Sequence, residues 1–380
     1  MYFLSSFILF LILTFNVISQ TINPLTQLDG EIISYYPNGQ IMEKGFLINT
    51  KKNGEFLQYY QNGQLKLKSF YIDGVLSNEY ISFFDNGNIK HKCFYKLGKI
   101  DGQYISYYED GSTNESFNYV SNILSGDFTS YFSNGNIHIK GKFKEGFKSD
   151  LWITYFINGQ IETIIEYKND LKYGKYESYY ETGIKRESSN YYKDSLNGIF
   201  MNYHPNGKIK LETNYLKGLL NGSYTSYSSV GDYLLQSQFK EGKEYGIRID
   251  YIDSNRVLSK VNFLNGLKDD IATYYYPNGN IYLKGKFLNN LKTGEWIEYF
   301  ENGLVSKIHP YLNGKLNGFS VDYYNDGKLE EKGNYSDGLK DGIWKIYFYY
   351  KDDVFESVGT FKNGIKLEDW QTYKIKSVED

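Results

Sequence analysis

Histidine, cysteine and paired carboxylates are the side chains from which a metal or catalytic site would be built. The chain has four histidines and one cysteine. His91, His138, His204 and His309 occupy four different places in a recurring sequence unit, so stacked units do not bring them into one column. A zinc site needs three or four converging ligands. We therefore predict no metal site, and we interpret Cys93 as a small core residue rather than a reactive thiol.

Motifs for phosphate binding and nucleophilic catalysis are also missing. Residues 141–148 resemble a phosphate loop, but Phe147 stands where that motif needs lysine, and a β-hairpin offers no helix N-terminus. The sequence contains no nucleophile elbow and no calcium loop of the EF-hand type. The carboxylates are scattered through predicted turns and strand edges, where they name no acid/base pair. We predict no catalytic residue, no cofactor and no enzymatic activity.

The composition excludes one class of partner and indicates one class of fold. A net charge of −3 and the absence of long runs of like charge argue against nucleic acid as a partner. The chain has 41 Tyr, 25 Phe and 37 Gly. Ala272 is its single alanine. Strand-forming and turn-forming residues thus dominate, and we predict an all-β fold.

An apolar segment at the start of the chain predicts export. Residues 2–18 are apolar apart from a few small polar residues, and Val17-Ile18-Ser19 before Gln20 fits a small-residue cleavage rule. The segment is slightly short for a membrane span of roughly 20 residues. We interpret residues 1–19 as a signal peptide and 20–29 as a linker. The mature protein is then periplasmic, on the cell surface or secreted, and is soluble or peripherally attached to a membrane.

A 24-residue repeat organises the rest of the chain. Its marker is an aromatic pair followed by a turn, as in the motifs that end at Gly39, Gly63, Gly87, Gly111 and Gly135. A second aromatic-plus-turn motif recurs between these, so each unit holds two strands and two turns. About fourteen units cover residues 30–373, and 374–380 form a charged C-terminal tail. We expect an elongated, twisted antiparallel β-meander.

The turn residues also predict the pairing register. Proline at 37, 205 and 277 precedes the Asn-Gly pair, which indicates a type I turn whose glycine takes positive φ, in a three-residue hairpin loop. The first aromatic of each pair then faces the apolar residue just past the glycine, as in Tyr59 with Leu65 and Tyr275 with Ile281. We interpret this set of tyrosines as core.

The other aromatic of each unit is predicted to lie on the opposite, partly solvated face. Phe56, Tyr80 and Phe128 are examples, and we expect Lys68, Lys92 and Lys140 to lie opposite these three rings. The tryptophans at the same place are the candidate partner-binding residues because they would present large rigid surfaces. They are Trp152, Trp296 and Trp344.

These motifs resemble the MORN-repeat variant family. The run from Gly294 to Gly303 shows the pattern Gly-x-aromatic-x-x-Tyr-aromatic-x-Asn-Gly well. In bacteria such proteins are often labelled YwqK-type antitoxins, and MORN proteins more widely resemble scaffolds and membrane-associated or protein-binding modules. The resemblance implies a binding role.

Two hypotheses for function remain open. The first is an exported, non-enzymatic scaffold that binds protein or cell-envelope components through an extended β surface. The second is an antitoxin or immunity-type protein that neutralises a toxin by direct binding, although a cytoplasmic antitoxin needs no export signal. The degenerate units at 222–272, with Arg248 and Ala272 where aromatics are usual, have either drifted or form a specialised patch.

Overall fold

A computed structural model describes residues 29–351 and 353–377. The predicted signal peptide, residues 20–28 of the predicted linker and residues 378–380 of the predicted tail lie outside the described residues. The part of the chain that is described is all β, which confirms the predicted fold class. No helix within 29–351 and 353–377 has the length and apolar character needed to cross a membrane. The chain divides into two compact units.

Among the described residues, the first unit comprises 29–112 together with 119–122. Each long strand in it is antiparallel to the long strand before and after it. Its strands are β1 (Gly30–Tyr35), β2 (Ile41–Ile48), β3 (Lys51–Tyr59), β4 (Leu65–Ile72), β5 (Val75–Leu76), β6 (Asn78–Phe83), β7 (Ile89–Lys96), β8 (Lys99–Ile100) and β9 (Gly102–Tyr107).

The second unit comprises residues 113–118 and the described residues from 123 to 377. The strand β10 (Thr113–Val120) contributes residues to both units, and the later strands again pair in chain order as an antiparallel meander. They are β11 (Ile123–Leu124), β12 (Gly126–Tyr131), β13 (Ile137–Lys144), β14 (Phe147–Tyr155), β15 (Ile161–Lys168), β16 (Leu171–Tyr179), β17 (Lys185–Tyr192), β18 (Ser195–Leu196), β19 (Gly198–Tyr203), β20 (Ile209–Leu216), β21 (Leu219–Tyr227), β22 (Tyr233–Lys240), β23 (Lys243–Glu244), β24 (Gly246–Asp253), β25 (Arg256–Leu264), β26 (Leu267–Tyr275), β27 (Ile281–Leu288), β28 (Leu291–Tyr299), β29 (Val305–Leu312), β30 (Lys315–Leu316), β31 (Gly318–Tyr323), β32 (Leu329–Ser336), β33 (Leu339–Tyr350), β34 (Asp353–Lys362), β35 (Ile365–Lys366) and β36 (Gln371–Ser377).

The Asn-Gly hairpin loops have the predicted geometry. The amide of Gly39 donates to the carbonyl of Tyr36 at 2.9 Å, and the amide of Tyr36 donates to the carbonyl of Gln40 at 2.8 Å. Gly39 has φ = 84°, a conformation that a β-carbon would strain. The loop therefore holds three residues and closes with a glycine bulge.

The predicted pairs next to the loops are confirmed, but the register changes one step further on. Tyr59 faces Leu65, whereas Gln58 faces Leu67, so Lys66 is an extra residue in its strand. This second bulge recurs in later units, as between Tyr275 and Tyr274. A one-residue slip changes every cross-strand partner beyond it. The aromatic rings therefore meet different residues from those predicted.

The last strand continues into the predicted tail. β36 runs from Gln371 to Ser377 and pairs with β34, with Phe355 opposite Lys374. The preceding hairpin, β33–β34, carries the two-residue insertion near Lys351 and pairs without a register shift from Gly342 to Tyr350. Extra length in this hairpin thus takes the place of the bulge found in the others.

Candidate functional site

The three tryptophans predicted to bind a partner are buried. Trp152, Trp296 and Trp344 expose 5%, 2% and 1% of their surface. The predicted solvated position of these rings is wrong, because their face of the sheet is the core. The tyrosines predicted as core, such as Tyr59 and Tyr275, are only half-buried. The indole rings therefore offer no contact surface.

Glycine explains how a single sheet buries such large rings. Trp296 lies flat against Gly285 in the neighbouring strand, where an added β-carbon would be 2.2 Å from the indole atom Cδ2. Trp152 lies against Gly141 and Trp344 against Gly333 in the same way. Each indole N–H also donates to a backbone carbonyl, at 3.0 Å for Trp296. Each ring thus occupies space that only glycine leaves open.

The sequence carries a signal for this packing that residue types alone did not reveal. All four tryptophans follow a glycine by eleven residues, Trp370 following Gly359. The degenerate stretch reverses the sizes: Ala272 follows Val261 by eleven residues, and both are buried in one cluster with Trp296. In these five pairs a large residue is therefore matched with a small one across this spacing.

Lysines cover the rings, but not the lysines that were predicted. The amino groups of Lys148, Lys292 and Lys340 lie 4.4, 4.3 and 4.0 Å from the ring centroids of the three tryptophans. Burial lowers the pKa of Lys148 and of Lys292. These contacts add cation–π attraction to the packing.

The prediction that Lys68, Lys92 and Lys140 lie opposite the rings of Phe56, Tyr80 and Phe128 is wrong. Because of the second bulge, Phe56 faces Ser69, Tyr80 faces Cys93 and Phe128 faces Gly141. Lys68 instead pairs with Glu55 at 2.6 Å, and Lys92 with Glu79 at 2.8 Å. Lys140 faces Thr129.

Cys93 behaves as predicted from its isolation. It exposes 1% of its surface and forms no disulfide. Burial raises the pKa of its thiol to about 11, so the reactive thiolate is disfavoured at neutral pH. The prediction that Cys93 is a small core residue is confirmed.

The four histidines do not form a site with one another. His91 contacts Tyr104, the two side chains being joined by a hydrogen bond of 2.8 Å. His309 is hydrogen-bonded to Asp322 at 2.6 Å, and His204 to the carbonyl of Tyr227 at 3.0 Å. Within the described ranges, no group of three or more His, Cys, Asp or Glu side chains is arranged to hold a metal ion.

A surface groove of about 670 Å³ lies beside Phe128 and Gly141, on strands β12 to β15. Its lining includes Asp127, Asp150 and Glu166, together with Lys140 and Lys142. The carboxylate of Asp127 is 3.8 Å from the amino group of Lys142. The groove thus has mixed charge and presents no activated nucleophile or acid/base pair.

Arg248 replaces the aromatic ring in the degenerate stretch. Its guanidinium donates to Asp250 at 2.9 Å and lies 3.6 Å from Glu244. Asp250 also accepts a hydrogen bond from Ser259 at 2.8 Å. An ion-pair network therefore takes the place of ring packing in this repeat.

The aromatic pair and the Asn-Gly pair have a function in the array itself. The hydroxyl of Tyr276 donates to the carbonyl of Tyr299, 23 residues later, at 2.8 Å. The side-chain amide of Asn302 donates to the carbonyl of Asn325, also 23 residues later, at 3.0 Å. Equivalent bonds occur at Tyr60 and many other turns. These side chains join each loop to the loop of the next repeat.

The opposite edge of the meander is largely apolar at three consecutive turns of the second unit. Its turns join β25 to β26, β27 to β28 and β29 to β30. The side chains beside these turns are five leucines, which expose between 39% and 55% of their surface, and Lys315, which lies opposite Leu312 at the third turn. We call this set the leucine ridge; it consists of Leu264, Leu267, Leu288, Leu291 and Leu312.

Comparison with known proteins identifies the repeat. A family model described as the MORN repeat variant matches eight stretches, namely 28–49, 52–73, 76–97, 124–145, 196–217, 271–289, 292–313 and 320–337. A search of curated proteins found no match.

Two solved structures similar to the chain contain TcdB2-TccC3. One lacks the hypervariable C-terminal region (10% identity, TM-score 0.14). The other is TcdB2-TccC3-Cdc42 (9% identity, TM-score 0.14). Each match covers 87% of this chain, and the chain spans only 23% of the length of either match. TM-scores this low add nothing to the fold assignment.

Proposed function

Because this chain is a MORN-repeat protein, we propose that it acts as a non-enzymatic scaffold that binds a protein partner through the leucine ridge. The observation that carries the proposal is the exposure of five leucines on three consecutive turns of one edge. Successive turns at this edge are two strands apart, so the two leucine pairs and Leu312, which lies opposite Lys315, recur about every 10 Å. A contiguous exposed apolar patch on a soluble chain is typical of an interaction site.

The composition of the turns supports a protein partner. The tips of the ridge turns carry Asn265, Asn289, Asn290 and Asn313, which are polar but uncharged. Lys315, which flanks the third turn, is paired with Asp337 at 2.7 Å. A surface that combines apolar side chains with hydrogen-bonding groups and little charge resembles the centre of a protein–protein interface. The turn before the ridge, at 240–243, carries Lys, Glu and Lys and would form its charged rim.

Export is part of the proposal. Residues 1–19 have the apolar character of a signal peptide, so the ridge would meet its partner in the periplasm, at the cell surface or outside the cell. Fractionation of cells expressing the tagged chain should find the mature form, shortened by the signal peptide, in those compartments. Recovery of the full-length chain in the cytosol alone would contradict export.

Binding at the ridge is tested with a matched pair of double variants. Proteins that cross-link to the full chain in its own compartment are identified. The protein that cross-links more to the wild type than to L288E/L291E is then purified. Its Kd is then measured for the wild type, for L288E/L291E and for L216E/L219E. Leu216 and Leu219 flank an equivalent turn outside the ridge and are similarly exposed.

We expect the ridge variant to bind at least about tenfold more weakly, since burying two carboxylates in an apolar contact costs more than 1.4 kcal/mol. The control variant should bind within about twofold of the wild type. Equal loss in both variants, or no protein enriched over the ridge variant, would show that the ridge is not the contact surface. Circular dichroism and thermal unfolding confirm that both variants fold.

A further inference from the structure

The Asn-Gly turns of the second unit belong to two groups that differ in how their asparagines are held. In the first group, Asn206 and Asn302 use both side-chain atoms. Each carbonyl oxygen accepts from the amide two residues later, at 3.1 and 3.0 Å. Each side-chain amide donates to the next repeat, at 2.7 and 3.0 Å. These side chains are fixed at both ends.

In the second group, Asn265 and Asn313 lie at the tips of ridge turns. Both take positive φ, at 54° and 51°. Both are exposed, as Asn206 and Asn302 are. Among the residues that the structure describes, their side chains make no hydrogen bond. Side-chain restraint, rather than solvent access, therefore separates the two groups.

The backbone of the following glycine is held equally well in both groups. The amide of Gly266 donates to Glu244 and that of Gly314 to Lys292, both at 2.9 Å. The amide of Gly303 donates to Phe300, also at 2.9 Å. The hydrogen bond of the glycine amide therefore does not distinguish the groups, which differ in the backbone φ of the asparagine and in the restraint of its side chain.

We propose that Asn265 and Asn313 are sites of spontaneous deamidation, with water as the only reagent. The backbone nitrogen of the following glycine, after losing its proton, forms a bond to the side-chain carbon Cγ. The bond from Cγ to the side-chain nitrogen breaks, and the leaving amino group takes up that proton and departs as ammonia. Water then opens the cyclic imide at either carbonyl, giving aspartate or isoaspartate. Glycine permits this attack because it has no side chain to shield its nitrogen.

The turn accepts one of the two products. Aspartate already occupies the equivalent position at Asp73 and Asp337, with φ of 49° and 52°. Isoaspartate lengthens the backbone by one carbon, which does not fit the two-residue turn. At Asn265 either product places a negative charge between Leu264 and Leu267, and at Asn313 it places one between Leu312 and Lys315. The modification would therefore add negative charge to the ridge, and it does not depend on the proposed function.

Peptide mapping by mass spectrometry of the folded, full-length chain tests this inference. The protein is incubated at mildly alkaline pH, and conversion at the two ridge asparagines is compared with conversion at Asn206 and Asn302. Two lost side-chain hydrogen bonds correspond to about 5–30-fold faster conversion at the ridge. In concentrated urea all four sites should react at similar rates, because the restraints are then absent.

Two outcomes would overturn the inference. Equal rates at all four sites in the folded protein would show that the side-chain bonds do not protect. A rate difference that persists in urea would assign the effect to local sequence rather than to the fold. The free energy of unfolding of the variant N265D should lie within about 0.5 kcal/mol of the wild-type value, since the turn accepts aspartate. A larger loss would contradict the fit of the aspartate product.

Discussion

For single residues, the absence of a β-carbon decides where each tryptophan lies. The sequence gives the aromatic and the glycine but not their contact, since the two belong to different repeats. The place of Trp296 in its strand was predicted correctly, but its ring was predicted to be exposed and is buried. What was missing is the contact between Trp296 and the glycine eleven positions earlier in the chain.

A double-mutant cycle tests the match between Gly285 and Trp296. We expect G285V to cost about 1–3 kcal/mol or more by overpacking, and W296A to cost about 3–5 kcal/mol through the cavity it leaves. The combination reproduces the natural pair Val261 and Ala272, so its cost should be smaller than the sum of the two. Denaturant unfolding measures all three. Additive costs would show that the two positions are independent.

Glu177 provides a pH-dependent test of a buried ion pair. Burial opposes ionisation, but hydrogen bonds from Lys185, Lys175 and Tyr179 outweigh it and lower the pKa of this carboxyl from 4.5 to about 2. A depressed pKa stabilises the fold above pH 4.5, and this stabilisation is lost as the pH falls toward 2.

We therefore expect E177Q to cost about 1–3 kcal/mol at neutral pH and clearly less near the acid limit. Chemical unfolding at the two pH values measures the difference. E295Q is the control, because Glu295 is exposed and makes no ion pair among the described residues. A cost for E177Q that does not change with pH would exclude the ionised carboxylate as its cause.

Among the elements, the loops were predicted best and the strands next to them least well. Positive φ at Gly39 and the pairing of Tyr59 with Leu65 followed from Pro-Asn-Gly and a three-residue loop. The second bulge, at Lys66, could not be predicted from the turn residues. A bulge leaves the repeat length unchanged, and no glycine or proline marks this one. Because of this bulge, the rings that were predicted to lie opposite lysines lie opposite serine, cysteine or glycine instead.

The side-chain bonds between loops can be tested at adjacent tyrosines. Y276F removes the hydroxyl that donates to Tyr299, and we expect it to cost about 0.5–1.5 kcal/mol. Y275F is the control, because the hydroxyl of Tyr275 makes no hydrogen bond among the described residues. Thermal unfolding compares the two. Equal effects would show that the bond between loops contributes nothing.

For the molecule as a whole, the meander makes each repeat depend on its neighbours. All-β class and antiparallel order followed from the 24-residue spacing, because two strands and two turns fill that length. The contact surface could not be predicted in this way. Exposure of Leu288 and Leu291 depends on how the turns at one edge align, and the sequence shows these leucines only as strand ends.

Two deletions of 24 residues separate repeat length from repeat content. Removing 280–303 takes away Gly285 together with Trp296 and leaves the neighbouring pairs intact. Removing 270–293 keeps the same spacing but places Trp296 against Val261. Both variants lose the neighbour contacts of one repeat. We expect the second variant to be less stable than the first by about 1–3 kcal/mol, because Val261 and Trp296 are overpacked. Equal stabilities by chemical unfolding would show that repeat length alone matters.

The match across eleven residues also limits how such a gene can gain or lose repeats. Unequal crossing-over preserves the reading frame and the turn positions whenever it removes or adds 24 codons. A breakpoint that falls between Gly285 and Trp296, however, gives each half of the pair a new partner. Around such pairs, 11 of the 24 breakpoints in a repeat are therefore disfavoured. Recombination junctions in this gene should therefore lie in the remaining codons. The order of the repeats is constrained as well, because each repeat carries residues that match those of its neighbour.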